Sequence, residues 1–308
     1  MFIGIDIGGT KCAVTRAEVD KDGSITVLSK ARFATTDVTE TLEKIFLEVG
    51  KMLPADAIGI SCGGPLDEKR GVIMSPPNLP GWDDIHITDM LKERFGIPVG
   101  LLNDANACAL AEWRFGAGRG CNNMVFLTFG TGLGAGLILD GRLYSGANGN
   151  AGEVGHVRLD EDGPLGYGKR GSFEGFCSGG GIQKLAEERK LSEKEKGREI
   201  FRDATDAKTV CALAKSGDKD ALAVIEKSAK KLGLGLSFIV DILNPERIVI
   251  GSVFKRTEDL YRPIMEDVLK REALGISLGV CKVVAAELDE NLGDFAAIAV
   301  AESVINKN

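Results

Sequence analysis

Twice in this chain an apolar run breaks on clustered glycines and resumes as a second apolar run. In FIGIDIGGTKCAVTRAEV, Phe2–Ile7 and Cys12–Val19 flank Gly8–Gly9. In MVFLTFGTGLGAGLIL, Met124–Phe129 and Ala135–Leu139 flank Gly130–Gly134. Runs of this length joined through glycine turns predict two β-hairpins. Glycine carries no Cβ, so its turn leaves backbone N–H groups open to close approach by a ligand. No further sequence repeat accompanies the two hairpins, but a duplicated architecture accounts for them.

The segments between them alternate in type. Val38, Leu42, Ile45, Phe46, Val49 and Leu53 follow helical spacing and predict a helix over about 38–53. Ala57–Ser61 reads as a short buried strand ending in the glycine turn CGGPLD. Ile97–Leu102 reads as a strand running into NDANACALAEWRFGAG, where Asn103 or Asp104 can cap a helix that Gly116 ends. Further helices are expected over about 173–190, 192–203, 218–243, 257–273 and 292–305, and Ile248–Gly251 reads as a buried strand. The glycine-rich stretch Gly116–Asn123 is the expected boundary. It separates an N-terminal lobe (1–117, with a helix at about 291–308 packing back on it) from a C-terminal lobe (118–290).

Charge and composition narrow the partners. The net charge is −7 and there is no basic cluster, which argues against nucleic acid. No run approaches the ~18 apolar residues of a membrane span, and MFIGID is too short for a signal peptide. The seven cysteines are scattered, odd in number and never in CxxC spacing, so they read as reduced thiols of a cytoplasmic protein. The partners expected are small molecules.

TFGTGLGAG does not fit a dinucleotide loop, because AGLILDGRLY continues it as a strand where a helix N-terminus is needed. No GxxxxGK[ST] loop occurs either. Two glycine turns with open N–H groups remain, and phosphate oxygens suit such concavities. Gly8, Gly9 and Thr10, with Gly130, Thr131 and Gly132, are therefore expected to clamp a triphosphate from both sides. Asp6 stands where a carboxylate can hold Mg²⁺ directly or through water, and Lys11 adds a point charge.

The motifs DIGGTK, GGPLD, NLPGWDD, NDANACALAEWRFGAG, TFGTGLGAGLILDGRLYSGANGNAGEVGH and SFEGFCSGGG occur in this order over most of the chain. Their succession resembles the ROK family of sugar kinases, relatives of hexokinases and N-acetylhexosamine kinases. The resemblance implies an α/β fold of the two-lobed actin-like (ribonuclease-H-like) ATPase type with duplicated mixed-sheet cores. It implies ATP-dependent phosphorylation of a hexose or N-acetylhexosamine, at O6 as in glucokinases, with Mg²⁺. A sugar hydroxyl needs a proton acceptor to become a nucleophile. By the family pattern Asp104 is that base, Asn103 holds the sugar, and Glu153, His156 and Glu174 contact its hydroxyls. Gly63, Gly64 and Asn78 complete the sugar pocket, and Gly251 and Ser252 line the nucleotide. Trp82 is expected to pack its loop, and His86 to lie at the surface. Family members assemble as dimers or tetramers, so a homo-oligomer is expected.

One departure and one alternative accompany the resemblance. Many ROK proteins hold structural zinc with three cysteines and a histidine in CxCGxxGCxE. Here Leu165, Tyr167 and Ser172 stand at the cysteine positions, none able to replace a thiolate ligand. A zinc-free loop stabilised by packing of Leu165 and Tyr167 is expected. The alternative is a ROK-type sugar-binding regulator without kinase activity. Such regulators carry a helix-turn-helix domain ahead of the first phosphate loop, whereas here five residues precede Asp6.

Overall fold

The computed structural model describes residues 1–202, 205–288 and 291–306. The first hairpin forms as its sequence predicts. β1 (Phe2–Ile7) runs antiparallel to β2 (Lys11–Val19), with Asp6 opposite Ala13. An unforeseen strand, β3 (Ile25–Ala34), extends the sheet beyond β2. Most of its side chains are exposed on both faces, so it lacks the alternation that marks a half-buried strand. α1 (Val38–Lys51) follows, capped by Asp37 and burying Leu42, Ile45 and Val49. β4 (Ala57–Cys62) lies parallel to β1. After α2 (Ile87–Phe95), β5 (Val99–Asn103) lies parallel to β4 and leads straight into α3 (Asp104–Phe115). Trp82 is fully buried in the core of this region, and His86 is 42% exposed beside Asp84 and Asp89.

The second sheet comprises β6 (Met124–Leu127), β7 (Ala135–Leu139), β8 (Arg142–Leu143), β9 (Arg247–Ile250) and β10 (Lys282–Ala285). The first sheet has the order β3-β2-β1-β4-β5 and the second β8-β7-β6-β9-β10. β8 is antiparallel to β7, and β9 is parallel to both β6 and β10. The two sheets thus repeat one order, an antiparallel turn-back followed by parallel strands. This is the duplication that the paired hairpins announced.

Helices follow in the later half. The stretch expected as 173–190 is two helices, α4 (Phe173–Phe176) and α5 (Gly179–Glu195). Ser178 interrupts them and caps the second, its Oγ accepting from Gly181 N–H at 2.9 Å. No separate helix spans 192–203: α5 ends at Glu195, Gly197 takes a left-handed conformation (φ 76°), and residue 203 lies outside the described residues. α6 (Ala207–Lys215), missed in the sequence, precedes α7 (Lys219–Leu243). α8 (Val253–Glu272) kinks at Thr257, whose φ of −133° is not helical, so the helix expected from about 257 is its second part, and the short α9 (Gly275–Leu278) follows.

The last helix, α10 (Leu292–Ile305), packs on the first sheet through a row of glycines. Gly4, Gly59 and Gly100 are register partners on β1, β4 and β5. A Cβ on Gly59 would overlap the backbone of Ala297 and Ala301, and one on Gly4 would stand 2.9 Å from the Ala297 Cβ. The glycines let an alanine-rich helix lie flat on the strands, burying Ala296–Glu302.

The chain divides into two compact units. One comprises Met1–Gly120, Gly136–Ala151 and Glu287–Asn308, the other Cys121–Ala135 and Gly152–Ala286. Gly136–Ala151 therefore groups with the first unit and not with the remainder of 118–290.

Candidate functional site

In the first unit, the Gly8–Gly9 turn leaves β1 with its tip exposed. Gly8 N–H donates to Lys11 O at 3.1 Å, and Thr35 Oγ donates to Gly8 O at 2.6 Å. Gly8 is thus tied into the turn, and the candidate phosphate donors narrow to Gly9 and Thr10. A Cβ on Gly9 would overlap Asn78 O, so the turn and Asn78 of the NLPGW loop meet closely. Lys11 is exposed at the start of β2.

Asp6 occupies the end of β1 in an acidic setting. Burial, Asp294 and Asp104 raise its pKa to about 6, against the pull of Lys11 and Lys30. Asp294 lies in the first turn of α10, where it pairs with Lys30, accepts from Thr15 Oγ at 3.1 Å and lies 3.7 Å from Arg32. A Cβ on Gly293 would stand 2.9 Å from Asp6 Oδ2, so the helix N-terminus approaches the carboxylate where no side chain intervenes. Sequence reasoning passed over Gly293 and Asp294, because their partners lie at the other end of the chain.

The β5–α3 junction places the NDANA motif. Asn103 is the N-cap of α3, its Oδ1 accepting from Asn106 N–H at 2.7 Å. Asp104, the first helical residue, accepts from Ala105 N–H at 2.8 Å. Its side chain reaches solvent, yet protein surrounds it on most sides, and that desolvation raises its pKa. Glu68 steadies the junction by accepting from Asn103 N–H and from Asn106 Nδ2, each at 3.1 Å. Gly63 and Gly64 lie at the partly open end of β4. A cavity of about 1160 Å³ in this unit is lined by Glu68, Leu102, Trp113 and Arg142 among others, but by neither Asp6 nor Asp104.

In the second unit, the other glycine turn is braced from several sides. Gly130 N–H donates to Gly132 O at 3.0 Å, and Leu133 N–H donates to Glu174 Oε2 at 3.0 Å. The start of α5 donates into the turn, Gly179 N–H to Gly130 O at 2.7 Å and Gly180 N–H to Thr131 O at 3.3 Å. Gly179 and Gly180 of SFEGFCSGGG are thus part of the turn's framework. Thr131 and Gly132 remain as its candidate phosphate donors. Ser252, at a left-handed φ of 51°, stands beside it: a Cβ on Gly130 would lie 3.7 Å from Ser252 Oγ. Gly251 N–H donates to Leu127 O at 3.0 Å.

The sugar residues expected in this unit come together around Gly155. A Cβ there would overlap Leu133 O and stand 3.3 Å from the Glu174 Cβ. Glu153 and His156 flank Gly155 on an exposed 3₁₀ turn, and Glu174 opens α4. The loop after His156 corrects one expectation. Leu165 is 51% exposed and Tyr167 is 46% exposed, so their burial does not stabilise it. Leu165–Gly166 and Lys169–Arg170 form a short hairpin instead. Tyr167 lies against the His156 ring at 4.3 Å between centroids. Ser172, fully buried, caps α4 by accepting from Gly175 N–H at 3.0 Å. Among the described residues no cluster of three or more His, Cys, Asp or Glu side chains could hold a metal ion.

Duplicated mixed sheets, each carrying a glycine turn, with an aspartate at the N-terminus of α3, define an actin-like ATPase fold of the sugar-kinase class. Residues 2–304 match the ROK family, and the chain belongs to that family. It is 33% identical to a glucokinase of Thermotoga maritima, over 97% of this chain and 96% of that protein. It is similar in structure to a ROK family glucokinase from Streptomyces griseus in complex with glucose and AMPPNP (TM-score 0.77, 30% identity, 98% of this chain and 99% of that one). A xylose repressor of Caldicellulosiruptor bescii is 30% identical over 70% of this chain and 55% of its own length. Among the described residues no helix is long and apolar enough to cross a membrane.

Proposed function

We propose that this protein is an ATP-dependent hexokinase of glucokinase type, transferring the γ-phosphoryl group of ATP to O6 of glucose. The observation that carries this reading is Asp104, a carboxylate with a raised pKa at a strand–helix junction, whose capping duty is already met by Asn103. One Asp104 oxygen accepts the Ala105 N–H, and the other is available to take a proton. Asp104 accepts the proton of the sugar hydroxyl, the freed oxygen forms a bond to the γ-phosphorus, and the bond to the β–γ bridging oxygen breaks, releasing ADP. Asn103, Glu153, His156 and Glu174 orient the sugar hydroxyls, with Asn78 and Gly63–Gly64 beside them. Gly9 and Thr10 on one turn and Thr131 and Gly132 on the other bind phosphate oxygens through backbone N–H groups, with Gly251 and Ser252 toward the nucleoside.

Mg²⁺ suits Asp6. Burial first, and then the negative charge of Asp294 and Asp104, raise the pKa of that carboxylate, and a bound cation would offset both. Mg²⁺ is held by one or two carboxylates with phosphate and water as its remaining ligands, so three converging side chains are not required. When bound, it neutralises charge on the transferring phosphoryl group.

The test is sugar-dependent ADP release from Mg·ATP with glucose, mannose, fructose, allose, N-acetylglucosamine and N-acetylmannosamine. Release with glucose above the other sugars supports the reading, and glucose 6-phosphate in the product confirms O6. No release with any of them favours the second reading, a sugar-binding regulator, which the likeness to a xylose repressor supports. In that case calorimetry still detects sugar binding, but without turnover.

A further inference from the structure

Glu112 lies two turns along α3 from Asp104 and is fully buried. Its carboxylate faces backbone amides from the segment just after α3 and from one near the end of the chain. Oε2 accepts from Ala117 N–H at 2.8 Å and from Glu287 N–H at 3.2 Å, while Oε1 accepts from Leu288 N–H at 2.9 Å. Its backbone carbonyl accepts from Gly116 N–H at 3.1 Å and Gly118 N–H at 2.8 Å. Gly116 closes the arrangement, since a Cβ there would overlap the carboxylate and stand 3.0 Å from Leu288 Cγ. These segments are the ones by which the chain first leaves the first unit, after Gly120, and finally re-enters it, at Glu287.

We propose that Glu112 is a positioning residue for phosphoryl transfer, a clasp joining both of these segments to the helix that carries Asp104. The proposal rests on the kinase reading given above. A buried carboxylate is costly unless its lone pairs are met, and three amide donors meet them here. A helix needs no such side chain to end, because Gly116 N–H already bonds the Glu112 carbonyl. What the carboxylate adds is a tie between residues 175 or more positions apart in sequence. α3 transmits that tie along a rigid rod of about 12 Å, eight residues at ~1.5 Å each, to the proposed base. The clasp touches neither sugar nor nucleotide candidates, so its loss acts on the alignment of reacting groups and leaves each binding surface intact.

The test uses the full chain with glucose and Mg·ATP, comparing Glu112→Gln and Glu112→Ala with wild type. Glutamine keeps one acceptor oxygen but turns a donor toward an amide. Glu112→Gln is expected to lower kcat about 5- to 30-fold with both KM values within about twofold. Glu112→Ala should lower kcat further. Hydrogen exchange at Ala117, Glu287 and Leu288 should accelerate at least about tenfold in both variants, more in Glu112→Ala, while the amides of β1 and β4 stay protected. Wild-type kcat in a folded Glu112→Gln protein overturns the proposal. So does a general loss of protection with kcat unchanged below the melting transition, since that marks a purely structural residue. Exchange is read without turnover, so an inactive wild-type chain sinks the kinase reading alone, while unchanged exchange at the three amides sinks the clasp.

Discussion

Glu174 Oε2 accepts the Leu133 N–H at 3.0 Å, which ties a proposed sugar ligand to the second glycine turn. Gly132 fits beside it, as a Cβ there would lie 2.6 Å from that same oxygen. On the proposed reading, one carboxylate addresses two substrates. Glu174→Ala should lower kcat/KM for glucose and raise KM for ATP, each by about 10- to 100-fold, the worth of one or two hydrogen bonds to a charged group. Glu174→Gln keeps an acceptor for Leu133 and should spare the ATP effect while retaining the sugar effect. Steady-state kinetics with each substrate varied separates them, and an unchanged KM for ATP in Glu174→Ala would show that the brace does not matter to nucleotide.

Asp104 can be tested without disturbing its helix, because Asn103 and not Asp104 supplies the cap. Asp104→Asn should reduce kcat by about 10²–10⁴-fold, with little change in sugar or ATP affinity and a thermal midpoint near wild type. Turnover close to wild type in the folded variant would remove Asp104 from the role of base.

Asp6 predicts a conflict between stability and function. Its folded pKa of about 6 exceeds the ordinary 3.8, so folding disfavours its ionised form. As pH rises from about 4 to 6 the contribution of Asp6 to the stability of the metal-free protein should therefore become increasingly unfavourable, and above that range its penalty is fully developed, on the order of 1–3 kcal/mol. Asp6→Asn cannot ionise. Without Mg²⁺ the variant should be more stable than wild type in urea at pH 7.5, with the gap narrowing at pH 5, while being nearly inactive. A variant less stable at pH 7.5 would contradict this account.

Ser172 holds the loop in which many relatives use zinc. Ser172→Ala removes a buried cap and should cost about 1–2 kcal/mol in denaturant unfolding. Elemental analysis of the purified wild type should find no stoichiometric zinc, and about one zinc per chain surviving mild chelation would refute the metal-free loop.

Both glycine hairpins, α1, β4, the β5–α3 junction and α10 were legible from local pattern alone, because apolar periodicity, glycine turns and capping residues act within a few positions of one another. Through the motifs strung along that pattern, the sequence by itself also determined the family. It did not reveal β3, whose exposed faces carry no periodic signal, nor the break between α4 and α5, where a serine cap outweighs continuing helical spacing. Only the tertiary structure decided that Asp294 raises the pKa of Asp6, that Glu174 braces Leu133, and that Glu112 gathers amides from Ala117, Glu287 and Leu288. Apart from the Glu112–Ala117 bond, which spans five positions, these join residues tens to hundreds of positions apart, most of them through a backbone N–H. Every residue except proline carries that donor, so nothing in the identity of Leu133 or Leu288 announces its partner. Packing chooses among such amides, and packing is set by the whole chain at once.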